Sequence, residues 1–318
     1  MAGGPINRRP RDPASATGDL SMKIQSVRTR VWEWTGKTVP PAANFCTNAM
    51  GSLYDRGDAM ESFRFYSWMT CEIETDTGLV GIGNAALAPP ISKQIIDTYL
   101  APLVIGQDPW DYEYIWQRLY RSTHAWGRRG VGMVAISAID IAIWDILGKA
   151  AGMPCCDLLG GRYGEDIVLY RAISQDAPEA MAARVAEYRA EGYRRFQLKV
   201  GGDPDEDIAR IRAAAEVLEP GDKLIADANT GWLMHEAARV VRAVRDVDVY
   251  IEQPCASYEQ CLSVRRNTTL PFVLDEVIDS IDAILRGAAD GAMDVVNIKI
   301  SKFGGLTKAR QARDLCIS

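Results

Sequence analysis

The segment from residue 196 to residue 302 contains five short apolar runs: FQLKV (196–200), LIADAN (224–229), VYIEQP (249–254), FVLDEV (272–277) and VVNIKI (295–300). Each run carries a charged residue near its C-terminal end: Lys199, Asp227, Glu252, Asp275 and Lys299. These residues are spaced 28, 25, 23 and 24 positions apart, close to the length of one strand, one helix and two short loops. The period predicts successive β/α units of one parallel sheet, whose strand ends open on the same side.

The same alternation extends beyond this segment. It predicts six strands, at 167–172, 196–200, 223–228, 249–252, 272–275 and 295–300, with helices between them and a last helix at 306–317. A closed β/α barrel takes about 200 to 250 residues, whereas 152 residues run from Ile167 to Ser318. We therefore expect a TIM-type barrel that is truncated after the sixth β/α unit. An open doubly wound sheet is the alternative.

The first half of the chain has a different pattern. An alternating strand begins at Met22, a long loop covers 38–60, and an Asp-Thr-Gly turn at 76–78 joins two further strands. Helical spacing follows at 91–103, 108–120 and 131–151. The predicted division is a disordered tail at 1–21, an α+β domain at 22–150 and the partial barrel at 151–318.

The composition limits the kind of protein. The net charge of −6 and the pI near 5.2 give no sign of a nucleic-acid partner, which usually requires a basic surface. No stretch approaches the roughly 20 uninterrupted apolar residues of a membrane span, so we expect no membrane partner. Seven cysteines without metal-ligand spacing suggest reduced thiols. These features predict a cytoplasmic protein.

The three acidic strand ends suggest a metal site. Asp227, Glu252 and Asp275 would repel one another at a common barrel mouth unless a cation lay between them, and Mg²⁺ prefers such oxygen ligands. The simpler interpretation, which fits any one of them alone, is an acid that caps a helix or pairs with an arginine. Three acids in register with two lysines favour the metal.

The two lysines in apolar runs suggest proton transfer. Burial of Lys199 and Lys299 would favour the neutral amine, which can act as a general base. Lysines that extend from the sheet edge into solvent are the alternative. We expect Lys302 to be a loop residue, and Glu276 to orient a lysine through its charge. Together with Mg²⁺, this set predicts removal of the proton α to a carboxylate, with one lysine as the base and the other returning a proton.

The motifs QLKVG, ADAN, IEQP, LDE and NIKISKFGG together resemble the enolase superfamily, in its mandelate racemase and muconate lactonizing enzyme branch. The resemblance covers residues 22–318. It implies an α+β capping domain followed by a modified (β/α)7β barrel, and a homo-oligomer acting on a small-molecule carboxylate. It also implies that Asp227, Glu252 and Asp275 bind Mg²⁺, that Lys199 and Lys299 form the acid/base pair, and that Gln197, Asn229 and Glu276 support them.

The chain departs from the lysine-pair pattern at one position. Many such members have a second lysine two residues before the first catalytic one, where this chain has Gln197. The barrel motifs look most like enzymes that dehydrate or epimerise proline and hydroxyproline derivatives. The capping half looks more like acid-sugar dehydratases. The alternatives are therefore an acid-sugar dehydratase and a catalytically inactive fragment.

Overall fold

The computed structural model describes residues 21–33, 67–86 and 88–318. Within these residues the chain forms a three-stranded antiparallel sheet with helices, and then a six-stranded parallel sheet. This is the expected α/β architecture of a capping domain followed by a parallel-sheet barrel domain. The long loop predicted at 38–60 and residues 1–20 of the predicted tail lie outside the described part.

The capping sheet consists of β1 (Ile24–Glu33), β2 (Ser67–Thr75) and β3 (Val80–Ala85), in that order. Alternate side chains of β2, namely Met69, Cys71 and Ile73, are fully buried. Since successive side chains of a strand point to opposite faces, one face of this sheet is covered by the helices that follow.

The helices of the capping half differ in part from the prediction. They are α1 (Pro89–Ile95), a π-helical turn (Ile96–Leu100), α2 (Ala101–Val104), a 3₁₀ turn (Pro109–Asp111), α3 (Tyr112–Ser122) and α4 (Val131–Ala151). The helix predicted at 91–103 is present within a continuous helical run over 89–104, but a π turn interrupts its α-helical spacing. Pro102 lacks an N–H and its ring displaces the carbonyl one turn earlier, which favours such a wider turn.

Helix α4 is the core of the capping half. It is long and apolar enough to cross a membrane, but 83% of its most apolar window is buried inside the protein. It packs against β3 and β2 and lies in a cluster that also includes Ile24, Met69 and Leu119. Burial on nearly all sides explains why its sequence is apolar all round.

The parallel sheet has the order β4-β5-β6-β7-β8-β9. Its strands are β4 (Arg171–Ile173), β5 (Arg195–Lys199), β6 (Lys223–Asp227), β7 (Val249–Glu252), β8 (Phe272–Leu274) and β9 (Val295–Val296). After the short α5 (Cys155–Leu158), the remaining helices are α6 (Pro178–Ala190), α7 (Pro204–Glu216), α8 (Met234–Ala243), α9 (Tyr258–Arg265), α10 (Ile281–Asp290) and α11 (Leu306–Ile317). Strand and helix alternate, as the period of the sequence predicts.

Two strands are at least three residues shorter than predicted. The first begins at Arg171 instead of Ile167, and its preceding apolar residues are largely exposed, with Ile167 at 82%. β-branched residues favour a strand only where a neighbour pairs with them, and β4 pairs with β5 through Arg171–Ile173. The last strand ends at Val296, because the chain turns at Lys299, whose carbonyl accepts the N–H of Lys302 at 2.9 Å.

The two halves meet at a buried polar cluster between α4 and α11. Asp140 of α4 accepts the backbone N–H of Thr307 at 3.0 Å and its hydroxyl at 2.5 Å, so it caps α11 from the other half of the chain. Gly305 allows this approach, because a Cβ there would lie 2.2 Å from a carboxylate oxygen of Asp140. Its φ of +116° also favours glycine. The turn that carries Lys299 is thus attached to the capping half.

Replacing Asp140 should change how stability depends on pH. Burial raises the pKa of Asp140 from 3.8 to about 7, against the hydrogen bonds from Thr307 that lower it. The folded state therefore binds one more proton than the unfolded state between about pH 4 and pH 7. Through this group, the free energy of unfolding should be greatest below pH 4 and fall by about 1.4 kcal/mol per pH unit up to pH 7.

Urea unfolding from pH 4 to pH 8 measures this dependence as the difference between the native chain and Asp140→Asn. The asparagine can still accept the N–H of Thr307 without a charge. The free energy of unfolding of the variant, relative to that of the native chain, should therefore increase as pH rises. Asp145→Asn, one turn further along α4, is the control for loss of a charge from this helix. A pH-independent difference for Asp140→Asn would contradict the prediction.

The cysteines of the described residues are all free: Cys71, Cys155, Cys156, Cys255, Cys261 and Cys316. The hydrophobic residues form two clusters, one within the capping half and one within the parallel sheet and its helices. The proposed domain boundary at residue 150 stays a prediction.

Candidate active site

The strand register brings three of the predicted residues to one level. Lys199 on β5 pairs with Asp227 on β6, and Asp227 pairs in turn with Glu252 on β7. Asp275 follows the last residue of β8, and Lys299 lies three residues beyond β9. All five lie at the C-terminal ends of neighbouring parallel strands, the side on which β/α folds carry their active sites.

The three carboxylates are buried. Asp227, Glu252 and Asp275 are 1%, 2% and 1% exposed. A buried carboxylate requires hydrogen bonds or a compensating charge, because the loss of hydration is otherwise too costly. Each of their six oxygens accepts at least one hydrogen bond from another residue of this region.

Ammonium groups neutralise the two outer carboxylates. Lys199 donates to Asp227 Oδ2 at 2.5 Å and to Asn229 Oδ1 at 3.1 Å. Lys299 and Lys302 donate to the two carboxylate oxygens of Asp275, and Lys302 also reaches its backbone carbonyl at 2.5 Å. We call Asp227, Glu252 and Asp275 the carboxylate row. The lysines therefore provide positive charge at both ends of this row.

The central carboxylate has neutral partners. Gln197 donates to Glu252 Oε2 at 2.7 Å and Asn297 to Oε1 at 3.0 Å. Burial, followed by the charge of Asp227, raises the pKa of Glu252 from 4.5 to about 7, although both amide hydrogen bonds lower it. The negative charge of the row is thus least compensated at its centre.

Burial and charge act in opposite directions on the Lys299 amine. The sequence suggested that burial would favour a neutral amine at Lys299. Burial does lower the pKa of this lysine, but the hydrogen bond and negative charge of Asp275 outweigh it, so the net direction is upward. The Lys299 side chain is also 48% exposed, compared with 15% for Lys199.

Glu276 and Asn229 lie beside the lysine of β5. Asn229 donates through its amide to Glu276 at 3.0 Å and accepts from Lys199, so Glu276 reaches Lys199 through Asn229. Burial and then the charge of Asp275 raise the pKa of Glu276. Asn229 has a φ of +43°, an uncommon conformation for a residue other than glycine and one often found at functional sites.

The site also contains residues that sequence reasoning missed. Lys302 lies in a loop, as predicted, but its hydrogen bonds to Asp275 were not predicted. Asn297 supports Glu252, and Gln253, at a φ of +37°, accepts the N–H of Asp275 at 3.0 Å through its side chain. A signal for Asn297 was present, since it lies two residues before Lys299 on the same apolar run.

The donor set fits a divalent cation. Among residues 21–33, 67–86 and 88–318, no group of three acidic, histidine or cysteine side chains is already arranged for a metal ion. Instead, the ammonium groups of Lys199, Lys299 and Lys302 take the place of a cation on the outer carboxylates. Buried, mutually repelling oxygens of this kind are the ligand type that Mg²⁺ prefers.

Comparison with known protein families gives matches to both halves. Residues 58–160 match the mandelate racemase / muconate lactonizing enzyme N-terminal domain, and residues 180–318 match the enolase C-terminal domain-like family. The chain belongs to the mandelate racemase/muconate lactonizing enzyme branch of the enolase superfamily. The family matches therefore agree with the capping domain and barrel domain seen in the fold.

Three known proteins illustrate the similarity. A cis-3-hydroxy-L-proline dehydratase from Roseibium aggregatum is 52% identical over 257 residues, which are 78% of this chain and 68% of that protein. A D-galactarolactone cycloisomerase from Agrobacterium fabrum is 31% identical, covering 92% of this chain and 75% of that one. A solved enolase-superfamily member from Roseovarius nubinhibens, complexed with magnesium, has a TM-score of 0.78 at 31% identity, over 93% of this chain and 77% of that one. Our chain is accordingly an enzyme of the lyase or isomerase type.

Proposed function

We propose that this enzyme removes the α-proton of a small carboxylate, with Mg²⁺ as its cofactor, and then dehydrates or epimerises the product. The observation that carries the proposal is the strand register, which aligns Lys199, Asp227 and Glu252 at the mouth of the barrel. The preferred substrate class is a proline or hydroxyproline derivative. The 52% identity to a cis-3-hydroxy-L-proline dehydratase supports this class.

Each charged strand end has a role in this scheme. Asp227, Glu252 and Asp275 would hold Mg²⁺, which when bound supplies positive charge that stabilises the anion formed as the α-proton leaves. Gln197 and Asn297 orient Glu252 through their amide hydrogen bonds. Asn229 and Glu276 orient Lys199.

The lysines carry the protons. One of Lys199 and Lys299, as the neutral amine, takes the α-proton at Nζ, and the C–H electron pair moves into the carbon–carbon bond to the carboxylate group. In a dehydration, that electron pair then forms the Cα–Cβ double bond as the Cβ–O bond breaks, and the other lysine donates its Nζ proton to the departing hydroxyl group, which leaves as water. In an epimerisation, that lysine returns a proton to the α-carbon from the opposite face. The carboxylate strands β6, β7 and β8 lie between the two lysine positions, so the lysines approach from different sides.

Proton NMR in D₂O tests the proposal directly. With Mg²⁺ present, cis-3-hydroxy-L-proline should lose its α-proton signal and form a dehydrated product, and a chelator should abolish both changes. Proline without the 3-hydroxyl group separates exchange from elimination. No α-exchange in any proline derivative would contradict this substrate class.

An acid-sugar dehydratase is the second candidate. The similarity to a D-galactarolactone cycloisomerase, whose name specifies a sugar-acid lactone, supports an acid-sugar substrate. Aldonates such as D-galactonate in the same NMR assay distinguish the two candidates. Absence of exchange in both classes would favour an inactive protein. A cytoplasmic location and a homo-oligomer remain part of the proposal.

A further inference from the structure

A fully buried carboxylate outside the metal-binding row connects three loops of the site. Asp207 lies in the first turn of α7 and is 0% exposed. It is not needed to cap this helix, because Asp203 already accepts the N–H groups of Asp205 and Glu206. Its contacts are instead with residues that follow the ends of β4, β5 and β6.

The contacts of Asp207 use both of its oxygens. Oδ2 accepts the backbone N–H groups of Gly201 and Gly202, each at 2.8 Å, and the indole N–H of Trp232 at 2.9 Å. Oδ1 accepts from Arg210 at 2.8 Å and from Gln175 at 3.4 Å. Such charge-assisted bonds to backbone N–H groups are strong and directional, so they fix the position of the loop.

The loops after β5 and β6 are also in direct contact. Gly201 has a φ of +101°, and a Cβ at this position would lie 2.3 Å from the carbonyl oxygen of Ala228. Gly201 is two residues after Lys199, while Ala228 lies between Asp227 and Asn229. A shift of one loop must therefore move the other.

These loops carry both sides of the contact made by Lys199. Its ammonium group lies on Asp227, the last residue of β6, and on Asn229 in the loop that follows and ends at Trp232. Asp207 fixes the segment that follows Lys199 through the N–H groups of Gly201 and Gly202. It fixes the loop that follows Asp227 through the indole N–H of Trp232. Proton transfer is sensitive to misplacement of about 1 Å.

We propose that Asp207 is a positioning residue, which sets the location of the Lys199 amine relative to Asp227 and Asn229. The role of Lys199 in proton transfer rests on the function proposed above. The hydrogen bonds by which Asp207 fixes the two loops do not depend on that function. Arg210 balances the charge of Asp207 and also donates to the carbonyl of Asp176 at 2.8 Å, which extends the cluster to the loop after β4.

The chain offers a matched control at the opposite end of the sheet. Asp222 is also buried, at 7% exposure, and accepts from Arg189 at 2.6 Å and from the backbone N–H of Glu219 at 3.0 Å. It directly precedes Lys223, the first residue of β6. Asp207→Asn and Asp222→Asn each remove one buried charge that is paired with an arginine, but only the first should affect the site.

Two measurements on the full chain test the proposal. Asp207→Asn should lower kcat for α-proton exchange about 10- to 100-fold, the range for residues that orient an active group, with KM changed less than about threefold. Amide hydrogen exchange of the peptide 199–203 should become at least about tenfold faster. Asp222→Asn should lose a similar amount of thermal stability without either effect.

Two tryptophan variants test the proposal in the case that Asp207→Asn does not fold. Trp232→Phe removes the indole N–H that Asp207 accepts, together with part of the ring system. Trp110→Phe makes the same reduction in ring size but removes a buried indole N–H that has no acceptor among the described residues. Trp232→Phe should accelerate amide exchange at 199–203, and Trp110→Phe should not.

The outcomes separate this proposal from the proposed function. If the native enzyme exchanges no substrate, the proposed function fails, and amide exchange at 199–203 still decides whether Asp207 holds the loop. If Asp207→Asn and Asp222→Asn show equal kcat and equal protection at 199–203, then the positioning role is wrong and Asp207 serves stability alone.

Discussion

Lys199→Ala and Lys299→Ala should each reduce turnover of the native substrate about 10²- to 10⁴-fold, the usual contribution of a positioned acid or base. The two losses should differ in kind. The variant that lacks the base should lose both α-proton exchange and elimination. The variant that lacks the acid should keep α-proton exchange and lose elimination, because the proton still leaves but the hydroxyl group does not.

Proton NMR in D₂O and product formation, measured on the same samples, distinguish these cases. Lys223→Ala is the matched control, since Lys223 begins β6 at the end opposite the site and pairs with Asp248 at 3.6 Å. It should retain native turnover. Native rates of α-exchange in both Lys199→Ala and Lys299→Ala would exclude the lysine-pair mechanism.

Asp227→Asn should weaken Mg²⁺ binding by at least about 100-fold, equivalent to about 2.7 kcal/mol. Asparagine keeps one carbonyl oxygen but loses the negative charge, and direct ligands should cost more than the 10- to 100-fold loss typical of residues that only orient a ligand. Calorimetric titration with Mg²⁺ measures this without any substrate. Mg²⁺ should also raise the melting temperature of the native chain, because it binds the folded state.

The control for this experiment is Asp294→Asn. Asp294 immediately precedes β9, where it accepts the N–H of Phe272 at 2.8 Å, so it lies at the end of the sheet away from the site. Its replacement should leave Mg²⁺ affinity unchanged. Native affinity in both Asp227→Asn and Glu252→Gln would refute the assignment of the carboxylate row as the metal site.

Much of the barrel could be read from residue order, because strand and helix alternate with a regular period. Lys199, Asp227 and Glu252 end their strands, and a charged residue at the end of an apolar run is visible without coordinates. The ends of β4 and β9 were less predictable. Their β-branched residues suit a strand, but pairing with a neighbour decides where the strand stops.

The site was only partly accessible from the sequence. The residues at the strand ends were identifiable, since parallel strands of one sheet end on the same side. The partners of those residues were not, because a side chain such as Lys302 or Asn297 acquires its role from the turn in which it lies. The direction of the Lys299 pKa shift likewise depended on Asp275, which is 24 positions away in the chain.

The sequence by itself determined the two-part α/β architecture and the row of charged strand ends, because both follow from periodic patterns along the chain. Only the tertiary structure decided how those charges are paired, how Asp140 joins the capping half to the turn after β9, and how Asp207 connects the loops around Lys199. These contacts join residues that are distant in the chain or that lie on backbone segments running in different directions. Their energies depend on burial and on hydrogen-bond geometry, which exist only once the chain has folded.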